Sequence, residues 1–160
     1  MPRFHIRLAN DELVFCAAHF LVFEDGRCER LHGHSFRVAA EVWGPLDENQ
    51  CVVDFVAAGD ALKAIVAELD HRVLLPAKHP AIRVSRRPGE IEVAFAGRRW
   101  VFPDDDCLLL PIANTTTELL AQYVGERLLS ALRAPGGRAP DRVRVEINEG
   151  TGASAVCELP

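Results

Sequence analysis

The sequence has no excess of positive charge, no long apolar run and no paired cysteine motif. Its net charge of −5 argues against a protein that binds nucleic acid through phosphate contacts. No apolar run reaches the length of a membrane span and no signal peptide is recognisable, so we expect a cytoplasmic protein with no membrane partner. The five cysteines include no CxxC pair, which indicates reduced thiols rather than a disulfide framework.

Size and composition are those of an ordinary globular protein. The 160 residues are 49% hydrophobic and 26% charged. This length suffices for one domain with a hydrophobic core, and no repeat, low-complexity tract or long linker divides the chain. We therefore expect a single domain over residues 1–160.

The hydrophobic pattern predicts strands at both ends of the chain. Alternation predicts one or two strands within residues 3–20 and another over 33–43. Residues 80–102 resemble an inserted hairpin, because alternating segments there are separated by Pro-Gly and Ala-Gly turns. Two more strands are predicted over residues 141–148 and 153–159.

Apolar residues at helical spacing predict two helices between these strands. The first has Asp54 as its N-cap and ends just before Asp70. The second begins around Thr115, which has the capping-box spacing to Glu118, and the glycine-rich segment 134–137 ends it. The element order is typical of an α+β fold.

Three histidines and one cysteine form the most informative pattern. His32 and His34 are two residues apart, so in a strand both imidazoles leave the same face, and His19 can add a third nitrogen from a neighbouring strand. Three imidazoles fill three of the four tetrahedral positions of Zn²⁺ and leave one open, as in catalytic sites. Cys28 is close enough to act as a nucleophile or base beside the metal. The alternative is an ordinary turn-to-strand junction at His-Gly-His.

Further segments share the order and spacing of a known family: Phe15-x-Ala17-Ala18-His19, Cys28-x-x-x-His32-Gly33-His34-Ser35, Val53-Asp54-Phe55, Leu69-Asp70-His71, Thr116-x-Glu118-x-Leu120-Ala121, and Glu149 with Ala155. Together they resemble the 6-pyruvoyl-tetrahydropterin synthase and 6-carboxy-tetrahydropterin synthase enzymes. The three-residue gap between Cys28 and His32 resembles the carboxy-tetrahydropterin branch, which serves queuosine and other deazapurine pathways.

The resemblance implies the tunnelling fold, an antiparallel four-stranded sheet with two helices on one face. It also implies a homo-oligomer, either a trimer whose sheets join into a barrel or a dimer of trimers. Unpaired sheet edges give an independent reason to oligomerise. Residues 72–114 are longer than the usual stretch in the family, which leaves the exact substrate open.

The resemblance also assigns a metal site and a proton-transfer group. Zinc ligands are implied at His19, His32 and His34. Cys28 matches a catalytic cysteine that moves a proton as a thiolate, for which the metal and His71 can lower its pKa. Asp70 would orient His71, which shuttles a proton. The alternatives are a buried small hydrophobe at Cys28 and a helix C-terminus that favours a protonated His71.

Three further residues are implied to bind the substrate. Glu149 matches the glutamate that accepts hydrogen bonds from the pterin ring N–H and 2-amino group. Thr116 and Glu118 match residues near the pterin. The alternatives are that Glu149 is a turn residue before Gly150 and that the capping box alone explains Glu118.

The implied activity is that of a zinc-dependent lyase. It would convert 7,8-dihydroneopterin triphosphate to 6-carboxy-5,6,7,8-tetrahydropterin, with loss of acetaldehyde and triphosphate. One alternative is 6-pyruvoyl-tetrahydropterin formation, in which triphosphate is lost without carbon–carbon cleavage. Others are aldolase-type cleavage of the pterin side chain, where a glutamate commonly replaces the cysteine, and a non-catalytic pterin-binding protein.

Overall fold

The computed structural model describes residues 3–133, 139–150 and 152–160. Within these ranges the chain forms β1 (His5–Leu8), β2 (Val14–His19), β3 (His32–Trp43), α1 (Phe55–Leu69), β4 (Arg72–Pro76), β5 (Arg83–Arg87), β6 (Glu90–Phe95), β7 (Arg98–Pro103), β8 (Cys107–Leu110), α2 (Thr117–Leu132), β9 (Arg142–Asn148) and β10 (Ser154–Leu159). The segment 134–137, predicted to end α2, lies outside the described residues. Neither helix is both long and apolar enough to span a bilayer.

The main sheet has seven strands and is mixed. Its order is β10-β9-β3-β2-β4-β8, and β1 pairs with the second half of β3. The strands β10, β9, β3 and β2 pair antiparallel, whereas β4 pairs parallel to β2 and β8 pairs parallel to β4. The expected four-stranded antiparallel sheet is therefore only part of the sheet.

The sequence reading missed β4 and β8 for a physical reason. Both strands are short, and each packs apolar side chains on both of its faces: Leu74 and Leu110 belong to one core, Leu75 and Cys107 to another. The sequence of a strand that is covered on both faces is a continuous apolar run, and it lacks the alternation that marks a half-exposed strand.

Helix α1 begins where the sequence predicts. The Asp54 carboxylate accepts hydrogen bonds from the backbone N–H groups of Val56 (2.8 Å) and Ala57 (3.1 Å), so it is the N-cap. The helix ends at Leu69, and the extended backbone of Asp70 follows. This end places Asp70 against the edge of β2.

Helix α2 begins one residue later than predicted. Its N-cap is Thr116, whose hydroxyl accepts a hydrogen bond from the Leu119 N–H at 3.3 Å. Thr115 is fully buried, and its hydroxyl donates to the Phe20 carbonyl at 3.0 Å. The predicted capping box between Thr115 and Glu118 was therefore wrong, and Glu118 is an exposed acidic residue in the first turn.

The larger core lies between the two helices and one face of the main sheet. Phe15 from β2 and Phe36 from β3 stack there with ring centroids 4.7 Å apart. Because side chains alternate along a strand, His19 leaves the same face of β2 as Phe15, and His34 the same face of β3 as Phe36. Cys16 and Ser35 leave the opposite face, where their side chains lie 3.3 Å apart.

The inserted segment is a three-stranded antiparallel sheet rather than a hairpin. Strands β5, β6 and β7 pair in that order. Their apolar side chains form a second core with β4, β8 and the loop after β2, which includes Phe20, Val22, Leu75, Ile91, Val93 and Cys107. Cys28 packs at the edge of this second core, so the insertion is in contact with the loop that carries the cysteine.

Candidate active site

His19, His32 and His34 come together at the joined ends of β2 and β3. His19 is paired opposite His32 in the antiparallel register, and one ligand atom from each of the three rings lies within 4.8 Å of the others. Gly33 permits this close approach of the strands, because a Cβ at that position would lie 3.2 Å from the Ala17 carbonyl oxygen. The cluster predicted from the sequence spacing therefore forms.

The hydrogen bonds of the cluster leave ring nitrogens available for a metal ion. The Nδ1 of His19 lies 2.8 Å from the Thr115 carbonyl oxygen, and the Nδ1 of His32 lies 2.7 Å from that of Arg30. A carbonyl can only accept, so Nδ1 carries the proton and Nε2 keeps its lone pair. The Nε2 of His19 is buried and has no hydrogen-bond partner. An ion bound by the three imidazoles would satisfy it, and the carbonyls would orient the rings.

The electrostatic environment favours a neutral imidazole at His19. Burial lowers the pKa of His19, and the neighbouring rings of His32 and His34 lower it further. The Thr115 carbonyl and the Glu149 carboxylate act in the opposite direction. A neutral imidazole is the form that binds a metal, so the donor set fits Zn²⁺.

Glu149 belongs to the same site as the histidines. Its negative charge raises the pKa of His19, and its Oε2 accepts a hydrogen bond from the Thr117 hydroxyl at 2.9 Å. The sequence reading missed Thr117 and selected its neighbour Thr116, whose hydroxyl caps α2 instead. The run of three threonines before Glu118 was the available signal, but only the helix start decides which hydroxyl faces Glu149.

Cys28 is half-buried and does not belong to the histidine cluster. Its thiol donates to the Glu29 carbonyl at 3.3 Å. Burial raises the pKa of the Cys28 thiol, and the adjacent Glu29 carboxylate raises it too, whereas the Arg98 guanidinium lowers it. Among the described side chains of one chain, the Arg98 guanidinium favours the thiolate of Cys28, and the expected contributions of the metal and of His71 stay predictions.

Asp70 and His71 form a hydrogen-bonded pair at the edge of β2. The Asp70 carboxylate accepts from the Cys16 N–H at 2.7 Å and lies 2.9 Å from His71 Nδ1. The Cys16 N–H, and after it His71, hold the pKa of Asp70 below its usual value. His71 has a left-handed backbone (φ 56°), and its own N–H donates to the Cys16 carbonyl at 2.7 Å. The hydrogen bonds to the backbone of Cys16 hold the chain in this conformation.

The cavity beside this pair does not include Cys28 in its lining. His71 is 83% exposed and lines an open cavity of about 560 Å³. The cavity lies against the strand face that carries Cys16 and Ser35, and His34 also contributes to its lining, but Cys28 does not. The structure therefore brings together the three histidines and Glu149, and it does not place Cys28 at the cavity that His71 lines.

The chain as a whole is similar to known proteins. A family model described as 6-pyruvoyl tetrahydropterin synthase matches residues 10–159. The chain belongs to this family. The match confirms the resemblance that was inferred from the sequence motifs. The tetrahydropterin synthases are a family of enzymes.

Relatives within the tetrahydropterin synthase family match over most of their length. A Methanocaldococcus jannaschii protein, provisionally named 6-carboxy-5,6,7,8-tetrahydropterin synthase, is 33% identical over 144 residues, covering 89% of this chain and 88% of the relative. The 6-carboxy-5,6,7,8-tetrahydropterin synthase of Haemophilus influenzae is 28% identical, covering 74% and 79% of the two chains. The crystal structure of 6-pyruvoyl tetrahydropterin synthase from Plasmodium vivax is 22% identical over 99% of both chains, and its TM-score of 0.91 shows the same fold.

Proposed function

We propose that this tetrahydropterin synthase is a zinc-dependent lyase of the 6-carboxy-5,6,7,8-tetrahydropterin type, formed by one domain over residues 1–160. It would convert 7,8-dihydroneopterin triphosphate with release of acetaldehyde and triphosphate. The observation that supports this most directly concerns His19, which forms a cluster with two other imidazoles near Glu149. Its Nε2 is buried and has no hydrogen-bond partner. The 33% identity to the Methanocaldococcus jannaschii relative favours this branch.

The three histidines would bind the metal, and Glu149 together with residues at the start of α2 would bind the substrate. His19, His32 and His34 would hold zinc, which when bound supplies Lewis acidity to the oxygens of the substrate. Glu149 would accept hydrogen bonds from the ring N–H and 2-amino group of the pterin, and Thr117 fixes the orientation of its carboxylate. Thr116 and Glu118 remain proposed pterin neighbours, because they flank Thr117 at the same helix start.

Cys28, Asp70 and His71 would move the protons. Cys28 would take a proton from the substrate side chain as a thiolate. His71 would give or take a proton at its exposed ring, and the ionised Asp70 carboxylate orients that ring. Within one chain the cavity that His71 lines does not include Cys28, which favours a site in which the two groups come from different subunits. We therefore propose a homo-oligomer, a trimer or a dimer of trimers, whose sites combine Cys28 of one subunit with the Asp70–His71 pair of another.

Subunit complementation tests this arrangement. We expect Cys28→Ala and His71→Ala each to lose nearly all activity alone. Co-expressed mixed oligomers should recover roughly a quarter to a third of wild-type activity, because an intact Cys28 meets an intact His71 at about one interface in four in a mixed hexamer and one in three in a mixed trimer. The measurement is turnover by tandem-tagged, co-purified oligomers. Mixed oligomers that remain inactive would contradict a site shared between subunits.

The products of turnover test the proposed reaction. We expect purified protein loaded with zinc to release acetaldehyde and triphosphate in equal amounts from 7,8-dihydroneopterin triphosphate, and a chelator to stop both. Acetaldehyde is measured by coupled reduction with alcohol dehydrogenase, and triphosphate by chromatography. Full triphosphate release without acetaldehyde would instead establish 6-pyruvoyl-tetrahydropterin formation. Tight pterin binding without turnover would establish a binding protein.

A further inference from the structure

Arg98 joins the inserted sheet to the loop that carries Cys28. Its Nη1 donates to two backbone carbonyl oxygens, that of Cys28 at 3.0 Å and that of Glu29 at 3.2 Å. The two partners lie some seventy residues earlier in the sequence and belong to a loop with little regular structure of its own. These hydrogen bonds fix the loop directly at the cysteine.

The position of Arg98 is itself well determined. It is the first residue of β7 and pairs with Phe95 across a tight turn at Ala96–Gly97, where both residues have positive φ. Its guanidinium lies 4.8 Å from the centre of the Trp100 ring. Trp100 in turn stacks on Phe20, with ring centroids 4.7 Å apart. A guanidinium held against an aromatic ring loses little further freedom when it binds the carbonyls.

The neighbouring arginine shows that this contact is specific. Arg99 leaves the opposite face of β7, is exposed, and pairs with Glu92 inside the insertion at 2.6 Å. Arg98 is half-buried, and its hydrogen-bond acceptors are the backbone carbonyls of the cysteine loop. Among the described residues, Arg98 from the insertion lowers the pKa of the Cys28 thiol and Glu29 from the loop itself raises it.

We propose that Arg98 is a positioning residue for Cys28, through which the inserted sheet holds the cysteine loop and places a cation beside the thiol. The inserted sheet then supports the cysteine loop through Arg98. The expected loss of kcat rests on the proposed function. The alkylation of Cys28 tests the inference without it.

The test compares Arg98→Met with the matched control Arg99→Met, each in the zinc-loaded full-length protein. We expect Arg98→Met to move the pH midpoint of Cys28 alkylation by iodoacetamide upward, because a cation that favours the thiolate is lost. Peptide mass spectrometry follows Cys28 separately from the other cysteines. We expect kcat to fall at least about 10-fold with little change in KM, since a small displacement of a reacting group costs rate more than binding. Arg99→Met should match the wild type in all three quantities.

Arg98→Lys keeps the inference testable if the methionine variant does not fold. Lysine restores the charge but not the planar donor group, so we expect a near wild-type alkylation midpoint together with a reduced kcat. An unchanged midpoint and kcat in Arg98→Met would overturn the proposal, as would equal shifts in Arg99→Met. If the wild type shows no turnover but Arg98→Met still shifts the midpoint, the role of Arg98 stands and the proposed reaction fails.

Discussion

Replacing Cys28 with alanine should lower kcat by at least about 10²-fold while leaving the fold and the zinc content unchanged. This is the scale of a lost proton-transfer group. The zinc should remain because the metal cluster consists of the three histidines and does not include Cys28. The measurements are steady-state turnover of 7,8-dihydroneopterin triphosphate, metal content by mass spectrometry, and circular dichroism.

Cys157→Ala is the matched control for this variant. Cys157 is also partly buried, and burial raises the pKa of its thiol, as it does for Cys28. It lies on β10, at the far edge of the main sheet from β4 and β8. We expect Cys157→Ala to turn over substrate at nearly the wild-type rate, because it loses only a small half-buried side chain. An equal loss of rate in both variants would show that the Cys28 effect is one of stability.

Glu29 provides the sharpest alternative to Cys28. Its carboxylate lies 3.8 Å from the Nε2 of His32, so an acidic group also borders the metal cluster. Glu29→Gln removes the charge and keeps the shape. If Glu29→Gln abolishes turnover and Cys28→Ala does not, the proton is moved by the glutamate, and aldolase-type cleavage of the side chain becomes the better hypothesis. We expect the reverse order of effects.

The parts of the site that the sequence could predict depend on short-range geometry. His32 and His34 share a face because strand side chains alternate with period two, and Asp54 caps α1 because its carboxylate reaches N–H groups two and three residues ahead. These relations hold within a few residues of the chain. No knowledge of tertiary packing is needed for them, so motif spacing was sufficient.

The parts that escaped prediction depend on long-range packing. Thr117, not Thr116, bonds Glu149 because α2 begins one residue later than the capping pattern indicates. Arg98 reaches the Cys28 loop only because the insertion folds back on it with a core of its own. The Arg98 contact has no local sequence signature, and the run of three threonines does not by itself show which hydroxyl faces Glu149.

Replacing His32 with alanine should remove the metal and with it the activity. Loss of one of three imidazole ligands should weaken zinc binding by more than the roughly 10–100-fold that loss of an outer-shell partner costs. His32 is a better choice than His19, because His19 is 1% exposed and bonded to Thr115, so its loss would also damage the core. Zinc per chain after dialysis, and affinity by competition with a chelator, are the measurements.

A second readout separates loss of metal from loss of fold. Zinc that binds the folded state raises the melting temperature by mass action, so added zinc should stabilise the wild type and not His32→Ala. His79→Ala is the matched control, because His79 is half-buried in contact with the inserted sheet, where its ring meets Phe95, and lies outside the cluster. It should keep both the zinc and the thermal shift. Stoichiometric zinc in His32→Ala would mean that the three imidazoles do not form the metal site, and the proposed chemistry would then lose its basis.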